Sequence, residues 1–201
     1  MEASIACAKV GVTTGEWTGA LREVFGEFRA PTGVAAAVSG DAVVGEIAAV
    51  RARVRATGEE LHQRLRMLVG KPGLDGHSNG AEQVAVRARD VGFEVVYQGI
   101  RLSPAQIVAA AVQEGVHVVG LSILSGSHLE VVPAVVDGLR AAGVDDVPVV
   151  VGGIIPPDDA AELQKRGVAA VFTPKDFRLT QMMDEIVTLI RDAQGLGRDR
   201  P

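Results

Sequence analysis

Cysteine, aromatic residues and positive charge are all scarce in this chain. One cysteine, Cys7, in 201 residues excludes an intrachain disulfide and fits a reducing cytosol. It lies in an N-terminal stretch expected to fray, a poor setting for a catalytic thiol. The net charge is −5, which argues against a general nucleic-acid or membrane-surface role. The basic run Arg51, Arg53, Arg55 is followed by Glu59 and Glu60 and reads as a solvated helix face. No apolar run reaches the about 18 residues of a transmembrane helix, and no basic segment with an apolar core opens the chain as a secretion signal. No internal repeat is present. These absences leave a cytoplasmic protein whose partners are neither nucleic acid nor membrane.

What is present is 47% hydrophobic residues and 24 glycines, an ordinary α/β composition. From Leu65 onward, short β-branched runs alternate with helical stretches. Strands are expected over 66–69, 94–97, 117–121, 147–151 and 169–172, and helices over 81–91, 104–114, 128–142, 158–166 and 180–192. Alternation of this kind implies βαβ units and a parallel sheet covered on both faces. The expected fold class is α/β, a flavodoxin-like (Rossmann-type) five-stranded parallel sheet of order 2-1-3-4-5, with a helical N-terminal arm.

Residues 1–64 read differently. Thr13-Thr14-Gly15-Glu16 has capping-box spacing, with Thr13 as cap and Glu16 reaching back. Trp17, Leu21, Val24, Phe25 and Phe28 then share one helical face, which needs a partner: this chain's own α/β unit, or another protein. "RAPTGVAAAVSGD" is a linker by composition, and 42–56 is expected to be a helix leading into the sheet. The expected organisation is an arm and linker over 1–64, an α/β domain over 65–195, and a disordered tail over 196–201.

Ligands of open α/β sheets bind beyond the carboxyl ends of the strands, where the strand order reverses. For order 2-1-3-4-5 that point lies between the first and third strands. The segments there are "GKPGLDGHSNG" after strand 1, "SILSGSH" after strand 3 and "GGIIPP" after strand 4. All three are built of small residues that leave room for a ligand. Neither G-x-G-x-x-G nor the G-x-x-x-x-G-K-[ST] phosphate loop is present, so dinucleotide and nucleoside-triphosphate binding are poorly supported. A phosphorylation receiver would want Asp75 and Lys175 where they stand, yet Leu121-Ser122-Ile123-Leu124-Ser125 offers no phosphate-accepting aspartate.

His77 invites a third reading. Imidazole is a good ligand for cobalt, iron or zinc, and its second nitrogen needs a partner to fix the tautomer. Asp75 is placed to be that partner, with Lys71 completing a relay. A lone histidine does not make a structural zinc site, so such a metal would arrive with its other ligands attached, as in a macrocycle. Most isolated D-x-H sequences are loop histidines bonded to a neighbour and nothing more; the glycines and the switch-point placement favour the ligand here. His117 reads as a packed strand residue, His62 as surface, and His128 as the one rival on the same edge.

Asp75-Gly76-His77-Ser78-Asn79-Gly80, Ser122-Ile123-Leu124 and Gly152-Gly153 together form the D-x-H-x-x-G, S-x-L and G-G motifs. In this order they resemble the cobalamin-binding domain shared by B12-dependent mutases and corrinoid methyl carriers, over roughly residues 64–193. The resemblance implies that His77 is the lower axial ligand of cobalt, backed by Asp75 and Lys71. It also implies that the displaced nucleotide tail enters a slot lined by Ser122, Leu124, Gly152 and Gly153. The implied cofactor-binding set is Lys71, Asp75, Gly76, His77, Ser78, Asn79, Gly80, Ser122, Leu124, Ser125, Gly152 and Gly153, with no catalytic residue in the chain itself.

Among such domains the chain looks most like the C-terminal part of acyl-CoA mutases. "VGKPGLDGHSNGAEQ" and "FTPKDF" are closer to ethylmalonyl-CoA mutase than to methylmalonyl-CoA mutase, which commonly has "FGPGT" at Phe172-Thr173-Pro174-Lys175-Asp176. The implied activity is an adenosylcobalamin-dependent radical isomerisation of an acyl-CoA, with B12 bound base-off and His-on. Its substrate would occupy a TIM-type barrel of about 250 residues, for which this chain has no room, so a detached fragment or a small subunit with a large partner is expected, inactive alone. Residues 1–64 resemble the end of that barrel and its linker, with the aromatic face as the docking point; that face also leaves self-association open. The alternatives are a corrinoid methyl carrier of a methyltransferase system and a non-enzymatic cobalamin carrier or sensor.

Overall fold

The computed structural model describes residues 2–26, 41–74, 76–173 and 178–197. Two compact units are present, Met1–Val38 and Ser39–Pro201. In the first, α1 (Glu2–Lys9) and α2 (Thr14–Phe25) are helical. The α1 segment, expected to fray, is helical because its alanines, glutamate and lysine all favour the helix. The capping box forms as the sequence predicts: Thr13 Oγ1 accepts from Glu16 N at 3.2 Å, and Thr13 N donates to Glu16 Oε2 at 2.9 Å. The Thr13 N–H, and then the Thr13 hydroxyl, which donates to Glu16 Oε2 at 2.7 Å, hold the Glu16 carboxyl below its ordinary pKa. Trp17, Leu21, Val24 and Phe25 are exposed on α2; Phe28 and most of the expected linker lie outside the described residues.

The second unit is a five-stranded parallel sheet of order β2-β1-β3-β4-β5. Its strands are β1 (Arg66–Gly70), β2 (Glu94–Tyr97), β3 (Val118–Ile123), β4 (Val149–Gly153) and β5 (Ala170–Phe172). Its helices are α3 (Asp41–Glu60), α4 (Asn79–Asp90), α5 (Pro104–Glu114), α6 (His128–Ala141), α7 (Pro157–Lys165) and α8 (Leu179–Ala193). No helix among the described residues is long and apolar enough to cross a membrane.

Strand side chains alternate between two cores, as period-2 geometry requires. Met67, Val69, Val118, Val150, Ala170 and Phe172 face Ala81, Ala85 and Ala88 of α4 and Met183, Ile186, Val187 and Ile190 of α8. Leu68, Val119, Leu121, Ile123, Val149 and Val151 face Ile107 of α5, Val132, Val135 and Leu139 of α6, and Leu163 of α7. Each fully buried aliphatic side chain contributes about 1.5–3 kcal/mol, which fixes the register on both faces.

Helix α3, which the sequence reading groups with the arm, packs on α8 within this unit. Val50 and Val54 join the first core, and Arg191 of α8 donates to Thr57 Oγ1 at 3.1 Å and Glu60 Oε1 at 2.7 Å. Arg191 also bonds the carbonyl of Gly197 at 3.2 Å; residues 198–201 lie outside the described residues.

Two strands run further than the sequence predicts. Ser122 pairs with Gly152 and Ile123 with Gly153, so both pairs sit at strand ends rather than in loops. The ladder between β3 and β4 carries Ser122 and Ile123 beyond the last pair with β1, and Gly153 beyond the last pair with β5; small residues with low strand propensity follow the pairing of what flanks them. Likewise, Asn79 and Gly80 form the first turn of α4 rather than the end of a loop, with Ser78 at the N-cap making no side-chain cap bond.

Candidate functional site

The segment after β1 is held by the one after β2. Pro72 bridges Leu102; Gly73 N donates to Leu102 O and Leu102 N to Lys71 O, each at 3.0 Å. Proline is tolerated because its missing N–H falls at the outer end of the ladder. Gly73, at φ 85°, a left-handed conformation that side chains rarely adopt, then turns the chain outward. Beyond this turn the chain is exposed: Leu74 is 91% accessible, and Gly76 and His77 are exposed. The sequence thus builds a pinned base and a projecting lip. Asp75, between Leu74 and Gly76, lies outside the described residues, as do Lys175 and Asp176.

Lys71 is 0% exposed, an unusual position for an ammonium. Its Nζ donates to Ser122 O at 3.1 Å and lies 3.4 Å from Ser122 Oγ, joining the end of β1 to the end of β3.

Beside this contact a cavity of about 280 Å³ opens between the carboxyl ends of the strands and helices α4 and α8. Its sheet wall is Met67, Val69, Gly120, Ser122, Val150 and Gly152; α4 contributes Gly80, Ala81, Gln83 and Val84, and α8 contributes Leu179, Met182 and Ile186. The slot exists because β3 and β4 carry glycine where a strand facing helices normally carries a branched side chain. Its walls are mostly apolar, with Ser122, Gln83 and Thr173 as polar groups. Small-molecule pockets span roughly 300–1,000 Å³, so this slot has room for one compact group.

His77 lines a different, open depression of about 730 Å³, with Gly73, Leu74, Leu124, Ser125, Ser127 and Ile154. Leu124 belongs to both, so the slot and the depression adjoin there. The structure therefore divides the expected site. Gly80, Ser122, Leu124, Gly152 and Gly153 line the slot; His77, Leu124 and Ser125 line the depression; Lys71 sits behind the slot's rim. Ser125 and Ser127 bond each other at 2.9 Å. Gly76 lies beside Arg101, whose Nη2 is 3.6 Å from where a Cβ would stand. Ser78 and Asn79 line neither space and serve to start α4.

His128 and His117 are engaged elsewhere, and His62 is exposed. His128 is buried, with Nε2 2.7 Å from Asp159 Oδ2, tying α6 to α7. His117 accepts at Nδ1 from Arg66 N at 3.0 Å, at the opposite end of the sheet. Burial first, and then the charge of Arg66, hold its pKa below the ordinary value.

Sequence reasoning missed the slot's floor and far wall. Gly120, Val150, Met67 and Val69 lie two or four residues before Ser122, Gly152 and Lys71, so strand alternation alone placed them on the same face. Leu179, Met182 and Ile186 carried no such signal.

The model of the B12 binding domain matches residues 65–191. Ethylmalonyl-CoA mutase of Cereibacter sphaeroides is 58% identical over 190 residues, covering 94% of this chain and 29% of that protein. Ethylmalonyl-CoA mutase of Methylorubrum extorquens is 54% identical, covering 96% and 28%. Methylmalonyl-CoA mutase of Escherichia coli is 36% identical, covering 92% and 26%. The chain thus spans less than a third of the length of these curated relatives. Among solved structures, a cobalamin-binding protein from Desulfitobacterium hafniense superposes with a TM-score of 0.55 at 19% identity, covering 86% of this chain and 76% of that one. The monomethylamine corrinoid protein of Methanosarcina barkeri gives 0.52 at 16%, covering 72% and 64%. At such identities these two share the fold.

Proposed function

The chain belongs to the B12 binding domain family, and from that premise we propose that it is the cobalamin-binding portion of an adenosylcobalamin-dependent acyl-CoA mutase of the ethylmalonyl-CoA type. The observation that carries this reading is the pairing of a glycine-floored slot with an adjoining depression into which a lip presents one imidazole. The slot is sized for a benzimidazole ring and is too small for a corrin, which requires a wide open surface. The depression is such a surface, and Leu74, Leu124 and Ile154 give it an apolar floor.

In this reading the cofactor is bound base-off and His-on. His77 would hold the cobalt through a ring nitrogen, with Asp75 and Lys71 behind it as the hydrogen-bonding relay. Ser122, Leu124, Gly152 and Gly153 house the nucleotide tail, and Gly76, Ser78, Asn79, Gly80 and Ser125 shape the lip and the start of α4. Bound adenosylcobalamin supplies a cobalt–carbon bond that breaks homolytically, chemistry that belongs to the cofactor. The chain's own contribution is ligation, orientation and exclusion of water from beneath the ring.

The substrate site belongs to a partner, an acyl-CoA-binding TIM-type barrel or large subunit, and the coverage of under a third of each mutase relative supports this. Of the expected arm and linker over 1–64, the part before α3 then meets the barrel through Trp17 and Phe25, while α3 joins residues 65–195 as the cofactor domain, working in the cytoplasm. A corrinoid methyl carrier shares the fold but has no support to set against 58% identity to a mutase.

The test is direct. The purified chain is incubated with hydroxocobalamin or adenosylcobalamin, desalted and scanned in the visible. A coloured protein fraction is expected; a colourless one sinks the reading. Electron paramagnetic resonance of the cob(II)alamin form, with ¹⁵N-labelled histidine, is expected to show altered axial nitrogen splitting that His77→Ala abolishes. Unchanged splitting on labelling rejects His77 as ligand. Mutase activity recovered on mixing with a separately expressed barrel tests the partner.

A further inference from the structure

Helix α8 closes one wall of the slot, and α3 is tied to α8 by charge. Among the described residues, three ion pairs join the two helices in sequence order: Glu46 with Arg178, Arg53 with Asp184, and Glu60 with Arg191. The helices therefore run in the same direction. Glu46, Arg53 and Glu60 are seven residues apart, so they share one face of α3 with a drift of about 20° per step. Arg178, at the N-cap of α8, donates to Glu46 Oε1 at 3.2 Å. Arg53 also donates to the Asp184 carbonyl and to Thr188 Oγ1, each at 3.1 Å. Arg191, 5% exposed, reaches the two Glu60 oxygens at 2.7 and 3.3 Å. The signs alternate along each helix, acid-base-acid on α3 against base-acid-base on α8. A slip of one turn parts all three pairs and strips the buried Arg191 of its carboxylate, which is costly. A slip of two turns sets Glu46 against Asp184 and Arg53 against Arg191, or Arg53 against Arg178 and Glu60 against Asp184. The apolar contacts in the same core are non-directional and tolerate small axial shifts; the ion pairs do not.

We propose that this charge ladder is a positioning device for the slot, holding α8 at the axial position from which Leu179, Met182 and Ile186 close over the cofactor's nucleotide tail. Those three residues lie between the paired positions of α8, so the ladder sets where each of them stands. The proposal rests on the cobalamin reading above. It adds that α3, none of whose described residues lines the slot, governs how tightly the tail is held. The effect is selective. The depression beside His77 is lined by no described residue of α3 or α8, so a corrin ring seated there does not sense the ladder, and only a ligand with a tail does. The exposed Glu46–Arg178 pair contributes least; the partly buried Arg53 and the buried Arg191 carry the device.

The experiment measures the affinities of the full chain for cobalamin and for cobinamide, a corrinoid without the nucleotide tail, by equilibrium dialysis with visible detection. Both are taken from one preparation, so any unfolded fraction cancels in their ratio. Arg53→Asp and Asp184→Arg each set like charges face to face. Each is expected to lower the cobalamin-to-cobinamide affinity ratio about five-fold or more, and the double swap Arg53→Asp/Asp184→Arg is expected to return it toward the wild-type value. Arg53→Ala and Asp184→Ala, with no further fall in their double, replace the reversals if those do not fold. If cobinamide binds too weakly to titrate, cobalamin affinity per folded chain, measured with circular dichroism, is read in its place with the same outcomes. A ratio unchanged in the single variants overturns the proposal and leaves the cobalamin reading intact, because the ladder then serves stability alone. A ratio that falls and does not recover in the swap also overturns it, because the charges then do not act as a pair. A wild-type chain that binds neither probe overturns both.

Discussion

Gly152 and Gly153 are neighbours on one strand, and a methyl group added at each separates stability from ligand binding. At Gly153 the backbone has φ 156°, and a Cβ would stand 1.7 Å from the carbonyl oxygen of Ile123. That is half the 3.4 Å at which ordinary contact begins, and the obstacle is the backbone of β3, to which this residue is paired in register. A strained dihedral costs about 1–3 kcal/mol and overpacking a similar about 1–3 kcal/mol. Gly153→Ala is therefore expected to lose roughly 2–6 kcal/mol, lowering Tm by roughly 4–24 °C at about 2–4 °C per kcal/mol. At Gly152 the nearest atom to an added Cβ is Leu121 O at 4.0 Å, an ordinary distance. Gly152→Ala is expected to hold its stability or gain up to about 1 kcal/mol from a less flexible unfolded chain. Its methyl group, however, projects into the slot. Overpacking the bound state by about 1–3 kcal/mol weakens cobalamin binding about 5- to 150-fold. Thermal melts by circular dichroism and cobalamin titrations by absorbance measure both variants. A Gly153→Ala melt within about 2 °C of wild type refutes the backbone argument, and an unchanged Kd for Gly152→Ala refutes the slot as the place of the tail.

Two further outcomes follow from the histidines that face neither the slot nor the depression. His117 titrates below its ordinary value in the folded chain because it is buried and lies near Arg66. The unfolded chain therefore binds a proton that the folded one does not: stability is complete above about pH 6.5 and is lost as pH falls toward the folded pKa. Melts at about pH 7.5 and 5 should show a smaller loss for His117→Asn than for wild type; equal losses reject the assignment. His128→Ala removes the 2.7 Å contact with Asp159 and is expected to cost about 1–3 kcal/mol while leaving the cobalamin spectrum unchanged. A lost His-on spectrum in that variant shifts the axial ligand from His77 to His128.

Much of the fold is legible in the sequence for local reasons. The capping box Thr13/Glu16 forms as spacing dictates, and the β-branched runs become strands of the expected order. Strand ends are less legible: Ser122-Ile123 and Gly152-Gly153 read as loops, yet their pairing with each other across β3 and β4 holds them extended. Helix α3 reads as part of a leading arm, but Val50, Val54 and the Arg191–Glu60 pair seat it on α8. These contacts join residues more than a hundred positions apart, and no local pattern encodes them.

By itself the sequence determined the chemistry: which residue is able to ligate a metal, which segments are small enough to admit a ring, and in what order the strands carry them. Those follow from side-chain type, dihedral preference and period-2 alternation, all short-range. Only the tertiary structure decided that His77 and the slot adjoin without coinciding, that Leu179, Met182 and Ile186 close the slot from the far end of the chain, and that Lys71 reaches Ser122. Each of these depends on how the parallel sheet sets β1 beside β3 and lays α8 across them. That arrangement comes from burying two apolar faces at once rather than from any single stretch of residues.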